Sequence, residues 1–236
     1  MKIRNKYYII TILVFTTILN SAGQKREQSD SSIKRVNVVN LPFGDTLLVT
    51  HKFPRVWEFS ENHKTKNQKT FEKINDYYIR LKTVKSIASP IIKQANRIAI
   101  DKDRSLNFYD QHFKGVFKYQ LPNFGPYQVY YRYVEIPLPF YYQLEDSATT
   151  QQELFTYYGD LIFYDARTKN ASILNIYQSY THRDAVVTIE RIFYIGKNQK
   201  IQLFKTVSGE STSAIKLTHK IQIDDNGKFL ITPTDN

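Results

Sequence analysis

Apolar and polar positions alternate one by one along most of the second half of the chain, the signature of strands with one buried face. The clearest stretch sets Ile215, Leu217, His219, Ile221 and Ile223 against Lys216, Thr218, Lys220, Gln222 and Asp224. Runs of this kind predict strands over residues 115–120, 127–136, 157–165, 172–180, 186–195, 200–207, 214–224 and 228–232. Most of the connecting segments are short and polar: residues 166–170, 181–184, 196–199, 208–213 and 225–227. Asn226-Gly227 in the last of these reads as a hairpin turn. Loops so short join antiparallel neighbours, because a parallel pair needs a crossover of about a dozen residues or more.

The first half carries a different period. Phe71, Ile74, Tyr78, Leu81, Val84 and Ala88 recur at three- and four-residue steps, predicting an amphipathic helix over residues 67–88. Ser89-Pro90 ends it, since the residue before proline is pushed out of the helical region. Strands are expected at 33–39, 46–53 and 56–59, and a short second helix at 91–95. The fold class that follows is mainly β (α+β): an antiparallel meander forming an open or closed barrel-like sheet, packed with one amphipathic N-terminal helix.

Composition agrees with a sheet. The chain of 236 residues holds 18 Tyr and 15 Phe against 8 Gly, 8 Pro and 1 Trp, and aromatic side chains suit a half-buried pleated surface. The N-terminus adds an address. Lys2, Arg4 and Lys6 precede an apolar stretch at 7–19, and Ser21-Ala22-Gly23 offers a small-residue cleavage site. A 13-residue stretch falls short of the ~20 that span a bilayer, so residues 1–23 are expected to be a signal peptide, with no transmembrane segment after its removal. A flexible leader at 24–33 and a single β-rich domain at 34–236 should follow, the latter with a basic lobe at 34–100 and the meander at 101–236. With no cysteine, the chain has neither disulfides nor thiol chemistry. The expected location is periplasmic or extracellular, in or outside a bacterial envelope.

Charge is unevenly spread. Residues 24–100 hold fifteen Lys and Arg against seven Asp and Glu, whereas residues 101–236 balance fifteen against fifteen. Between 62 and 97 the count is nine basic to two acidic, coinciding with the predicted helix. Lys66, Lys69, Lys73, Arg80 and Lys82 are therefore candidates for attachment to an anionic envelope lipid or glycan, or to another envelope protein. A solvated helix face is the commoner role of such a run. Nucleic acid is not an expected partner of an exported chain.

Residues 126–142, PYQVYYRYVEIPLPFYY, raise a second candidate. On a strand, Tyr127, Tyr131 and Tyr133 share one face, and Tyr130 and Arg132 share the other. Aromatics on both faces favour packing; an aromatic groove of Tyr127, Tyr131 and Tyr133 beside Arg132 is the ligand-site alternative. Catalytic signatures are missing: the sequence has no GxSxG, HExxH, GxxxxGK or GxGxxG, and its five histidines show no metal-ligand spacing. No cofactor and no metal are expected. His182, with Asp184 and Glu190 nearby, is the one weak catalytic constellation, and a polar turn is its simpler explanation. The function class expected is a non-catalytic binding or interaction module, with a carrier of an apolar ligand held between sheet and helix, or a hydrolase using the His182 loop, as alternatives.

Overall fold

Eight consecutive strands hydrogen-bond in sequence order to form the body of the protein, in a computed structural model that describes residues 38–58, 60, 63–100, 115–137, 155–182, 187–209 and 211–234. They are β4 (Val116–Phe124), β5 (Tyr127–Pro137), β6 (Phe155–Asp165), β7 (Asn170–His182), β8 (Val187–Ile195), β9 (Ile201–Ser208), β10 (Thr212–Ile223) and β11 (Phe229–Pro233). Every neighbouring pair along this path is antiparallel. Three short strands complete one eleven-stranded sheet: β1 (Phe43–Gly44), β2 (Trp57–Glu58) and β3 (Gln94–Arg97). β4 and β11 end the path without pairing to each other, so the sheet is open. The two helices described are α1 (Leu47–Thr50) and α2 (Lys66–Thr83).

The sheet forks at its centre. β7 and β8 pair only from Gln178↔Arg191 to His182↔Val187. Below that point β7 takes β3 as a parallel partner, Gln94↔Asn170 to Arg97↔Ile173, while β8 takes β1, Phe43↔Ile195 and Gly44↔Tyr194. Gly44 is required there: its φ is +112°, and a Cβ would lie 2.6 Å from the Phe193 carbonyl oxygen.

Apolar side chains fill both faces. The main core joins Leu161, Ile176, Ile192, Phe193 and Leu203 of the sheet to Ile74, Tyr78 and Leu81 of α2. Tyr78 anchors the helix, stacking on Tyr177 at 5.6 Å and donating its hydroxyl hydrogen to the Phe193 carbonyl. Behind the sheet, Phe117, Ile162, Ala171 and Ile173 form a smaller cluster covered by Ile87 and Ile92.

Three local expectations are corrected. Residues 46–53, expected as a strand, contain the single helical turn α1, because the Asp45 carboxylate accepts from Leu47 N at 2.8 Å and Thr50 N reaches Thr46 O at 3.0 Å. α2 stops at Thr83 rather than 88: Val84 is extended, Lys118 Nζ donates to its carbonyl at 2.8 Å, and Ile87 N is drawn to Phe117 O at 2.8 Å. Residues 91–95, expected as a helix, run into β3, which occupies the edge of β7 that β8 leaves open.

Candidate functional site

The basic run lies on α2. Thr65 caps the helix, its hydroxyl accepting from Gln68 N at 3.2 Å. Gln68, Phe71, Ile74, Tyr78 and Leu81 are the buried side, which leaves Lys66, Lys69, Lys73 and Arg80 exposed on the opposite side. Lys64 adds one charge beside the helix but spends it on Glu72, at 2.8 Å. Lys82 departs from its expected company: it is half-buried, with its ammonium 4.5 Å from the centre of the Tyr157 ring, a cation–π contact.

A groove opens beside the C-terminal half of α2. It is open to solvent, offers about 440 Å³, and is walled by Val39, Pro42 and Phe43 on one side, Tyr77, Leu81 and Val84 on another, and Tyr119 of β4. Thr83 and Arg80 stand among its lining residues, and Arg80 is the one charged group among the described residues that line it. The wall is fixed from behind: Val39 N donates to Gln120 O at 3.0 Å, and Gly44 N donates to the Tyr77 hydroxyl at 3.0 Å. Burial holds the Tyr77 phenol up to about 12, so it stays neutral.

The tyrosines of β5 do not converge on one ligand surface. Tyr131 is fully buried among Phe43, Tyr119 and Phe193. Tyr127 stacks on Phe229 at 6.1 Å and donates to Gly227 O at 3.1 Å, tying the first hairpin to the last. Arg132 points to the other face, where it pairs with Asp160 at 2.7 Å. From there a polar row continues across the strands. Asn175 Nδ2 donates to Asp160 Oδ1 at 3.2 Å, and Arg191 Nη1 donates to Asn175 Oδ1 at 2.8 Å.

Tyr133 belongs to a different group, on the helix side of the sheet. Its ring stacks on Tyr157 at 6.0 Å, and its buried hydroxyl has no hydrogen-bond partner among the described residues. Glu190 lies close by on β8, accepting from Ser179 Oγ at 3.0 Å with Thr206 Oγ1 at 3.5 Å. Burial raises the pKa of Glu190, and burial with the nearby Glu190 charge raises that of Tyr177.

Of the His182 constellation, the structure describes the His182 backbone at the end of β7 and the whole of Glu190, while Asp184 lies outside the described residues. Among the described residues no three His, Asp or Glu side chains are placed to hold a metal ion. Sequence reasoning did not connect Asp160 and Asn175 with Arg132, or Tyr177, Ser179 and Thr206 with Glu190, because these groupings depend on the register of β5 to β9. It also missed the groove, whose walls come from three separate segments. No protein-family model, curated protein or solved structure matches the chain.

Proposed function

We propose that the protein is exported and works as a non-catalytic interaction module, attaching through the exposed face of α2 to an anionic surface of a bacterial envelope. The observation that carries this reading is the row Lys66, Lys69, Lys73 and Arg80, exposed on the side of α2 opposite its buried residues. Export is supported by the basic, apolar and small-residue order of residues 1–23.

Near an anionic membrane each basic residue contributes about 1 kcal/mol, so reversing Lys69, Lys73 and Arg80 to Glu should weaken retention on phosphatidylglycerol vesicles by at least about a hundredfold. Wild-type retention should fall steeply with salt, and the triple variant should show little salt dependence. Equal retention of the two proteins at low ionic strength would defeat the proposal.

The carrier reading has its own support in the groove of about 440 Å³. Its ligand would lie at the C-terminal end of α2 rather than beneath the helix, where Ile74, Tyr78 and Leu81 already fill the space against the sheet.

A further inference from the structure

We infer that the groove beside α2 takes the hydrocarbon chain of a single-chain anionic amphiphile, with its acid headgroup held at Arg80. The inference rests on the reading of α2 as the anion-facing side of the molecule, and it adds a defined ligand to it.

Three observations combine. The walls are apolar where a chain would lie: Val39, Pro42, Leu81 and Val84 give aliphatic surface, and Tyr77 and Tyr119 give ring surface. The volume of about 440 Å³ sits near the lower end of the ~300–1,000 Å³ typical of small-molecule sites, which suits one chain rather than two.

The third observation is the state of Arg80. It is exposed at the groove, and its Nε donates to Asp76 O at 3.1 Å, which steadies the side chain along the helix. Its terminal amino groups have no hydrogen-bond or ion-pair partner among the described residues. A guanidinium presents those groups as a planar fork that matches the two oxygens of a carboxylate. Lys69 and Lys73 add positive field from the same helix without lining the groove. A cationic or neutral head on the same chain would forgo this pairing, so charge complementarity selects the acid.

The test titrates the exported full chain with palmitate and with hexadecyltrimethylammonium, both below their micelle concentrations, and reads binding by calorimetry. Native mass spectrometry gives the stoichiometry. Palmitate should bind one to one and at least about tenfold more tightly than the ammonium amphiphile, the step expected for one charge-assisted hydrogen-bonded contact. Arg80→Gln should remove most of that preference. Thr83→Trp, which places an indole at the groove from an exposed position, should abolish palmitate binding and leave vesicle retention intact. Lys69→Glu with Lys73→Glu should abolish vesicle retention and weaken palmitate binding only slightly, since neither lysine lines the groove.

Equal affinity for the two amphiphiles, or wild-type palmitate affinity in a folded Thr83→Trp variant, overturns the inference. If Thr83→Trp does not fold, unchanged head preference in Arg80→Gln overturns it alone. Palmitate binding without any vesicle retention would sink the surface reading instead and leave the groove assignment standing.

Discussion

Gly159 of β6 lies directly beneath the Tyr131 ring, and adding one methyl group there tests whether the tyrosines of β5 are core or ligand surface. A Cβ at this position would stand 2.5 Å from the Tyr131 hydroxyl, 2.8 Å from Cε2 and 2.9 Å from Cζ. The ring cannot retreat easily, since Phe43 lies at 5.7 Å, Phe193 at 6.2 Å and Tyr119 at 6.2 Å from it, and the residue is fully buried. The backbone of Gly159 is not in the left-handed region, so Gly159→Ala isolates the steric clash. Overpacking a tight core costs about 1–3 kcal/mol, and three overlapping atoms of an immobile ring put this case in the upper half, about 2–3 kcal/mol. At roughly 2–4 °C per kcal/mol for a domain of this size, the thermal midpoint should fall by about 4–12 °C. Urea unfolding should show the midpoint lowered with the slope unchanged. Tyr131→Phe removes the nearest clashing atom, so the double variant should recover part of the loss, with a coupling of about 0.5–3 kcal/mol. A Gly159→Ala protein within about 0.5 kcal/mol of wild type would refute the packing argument, because that is the scale of an exposed substitution.

Two further expectations follow from the buried polar groups. Burial raises the Glu190 pKa above its unfolded value, so the stability tied to its proton is fully present below the unfolded pKa and is lost as pH rises through the folded one. Glu190→Gln should therefore raise the thermal midpoint at neutral pH and flatten its decline from weakly acidic pH upward; parallel curves for the two proteins would reject this. Asp160→Ala removes a buried carboxylate that pairs with Arg132 at 2.7 Å and accepts from Asn175, and should cost about 3–5 kcal/mol in urea unfolding. Asp160→Ala with Arg132→Met should recover much of that, and a single-variant loss below about 1 kcal/mol would show that the pair contributes little.

The strands from β4 onward were legible because their information is local: alternation names the face, and a polar turn names the neighbour. Tyr130 and Tyr131 illustrate this, falling in the clusters on opposite faces as period two requires. The errors lie where distant segments decide the backbone. Nothing in residues 91–97 announces that β7 has a vacant edge at Asn170–Ile173, yet that edge turns Gln94–Arg97 into a strand. The run at 46–53 departs for a local reason instead: the Asp45 carboxylate accepts from Leu47 N and Thr50 N bonds back to Thr46 O, closing α1. For the site, the basic helix face was readable at Lys66, Lys69, Lys73 and Arg80 because its spacing is helical. Lys82 was not, since its turn toward Tyr157 depends on a strand more than seventy residues away. The groove was invisible for the same reason, being assembled from residues near 40, near 80 and at 119.

The fork between β7 and β8 makes the segments that carry β1 and β3 a structural plug. Cutting the chain after Ile100 and discarding the front piece would strip β3 from Asn170–Ile173 and β1 from Tyr194–Ile195, baring two strand edges in the middle of the sheet rather than at its ends. Interior edges lined by Ile173, Leu174, Phe193 and Ile195 are templates for pairing with other chains. A shortened meander should therefore assemble into insoluble β-rich aggregates, and the basic front segment doubles as the protein's own safeguard against self-association.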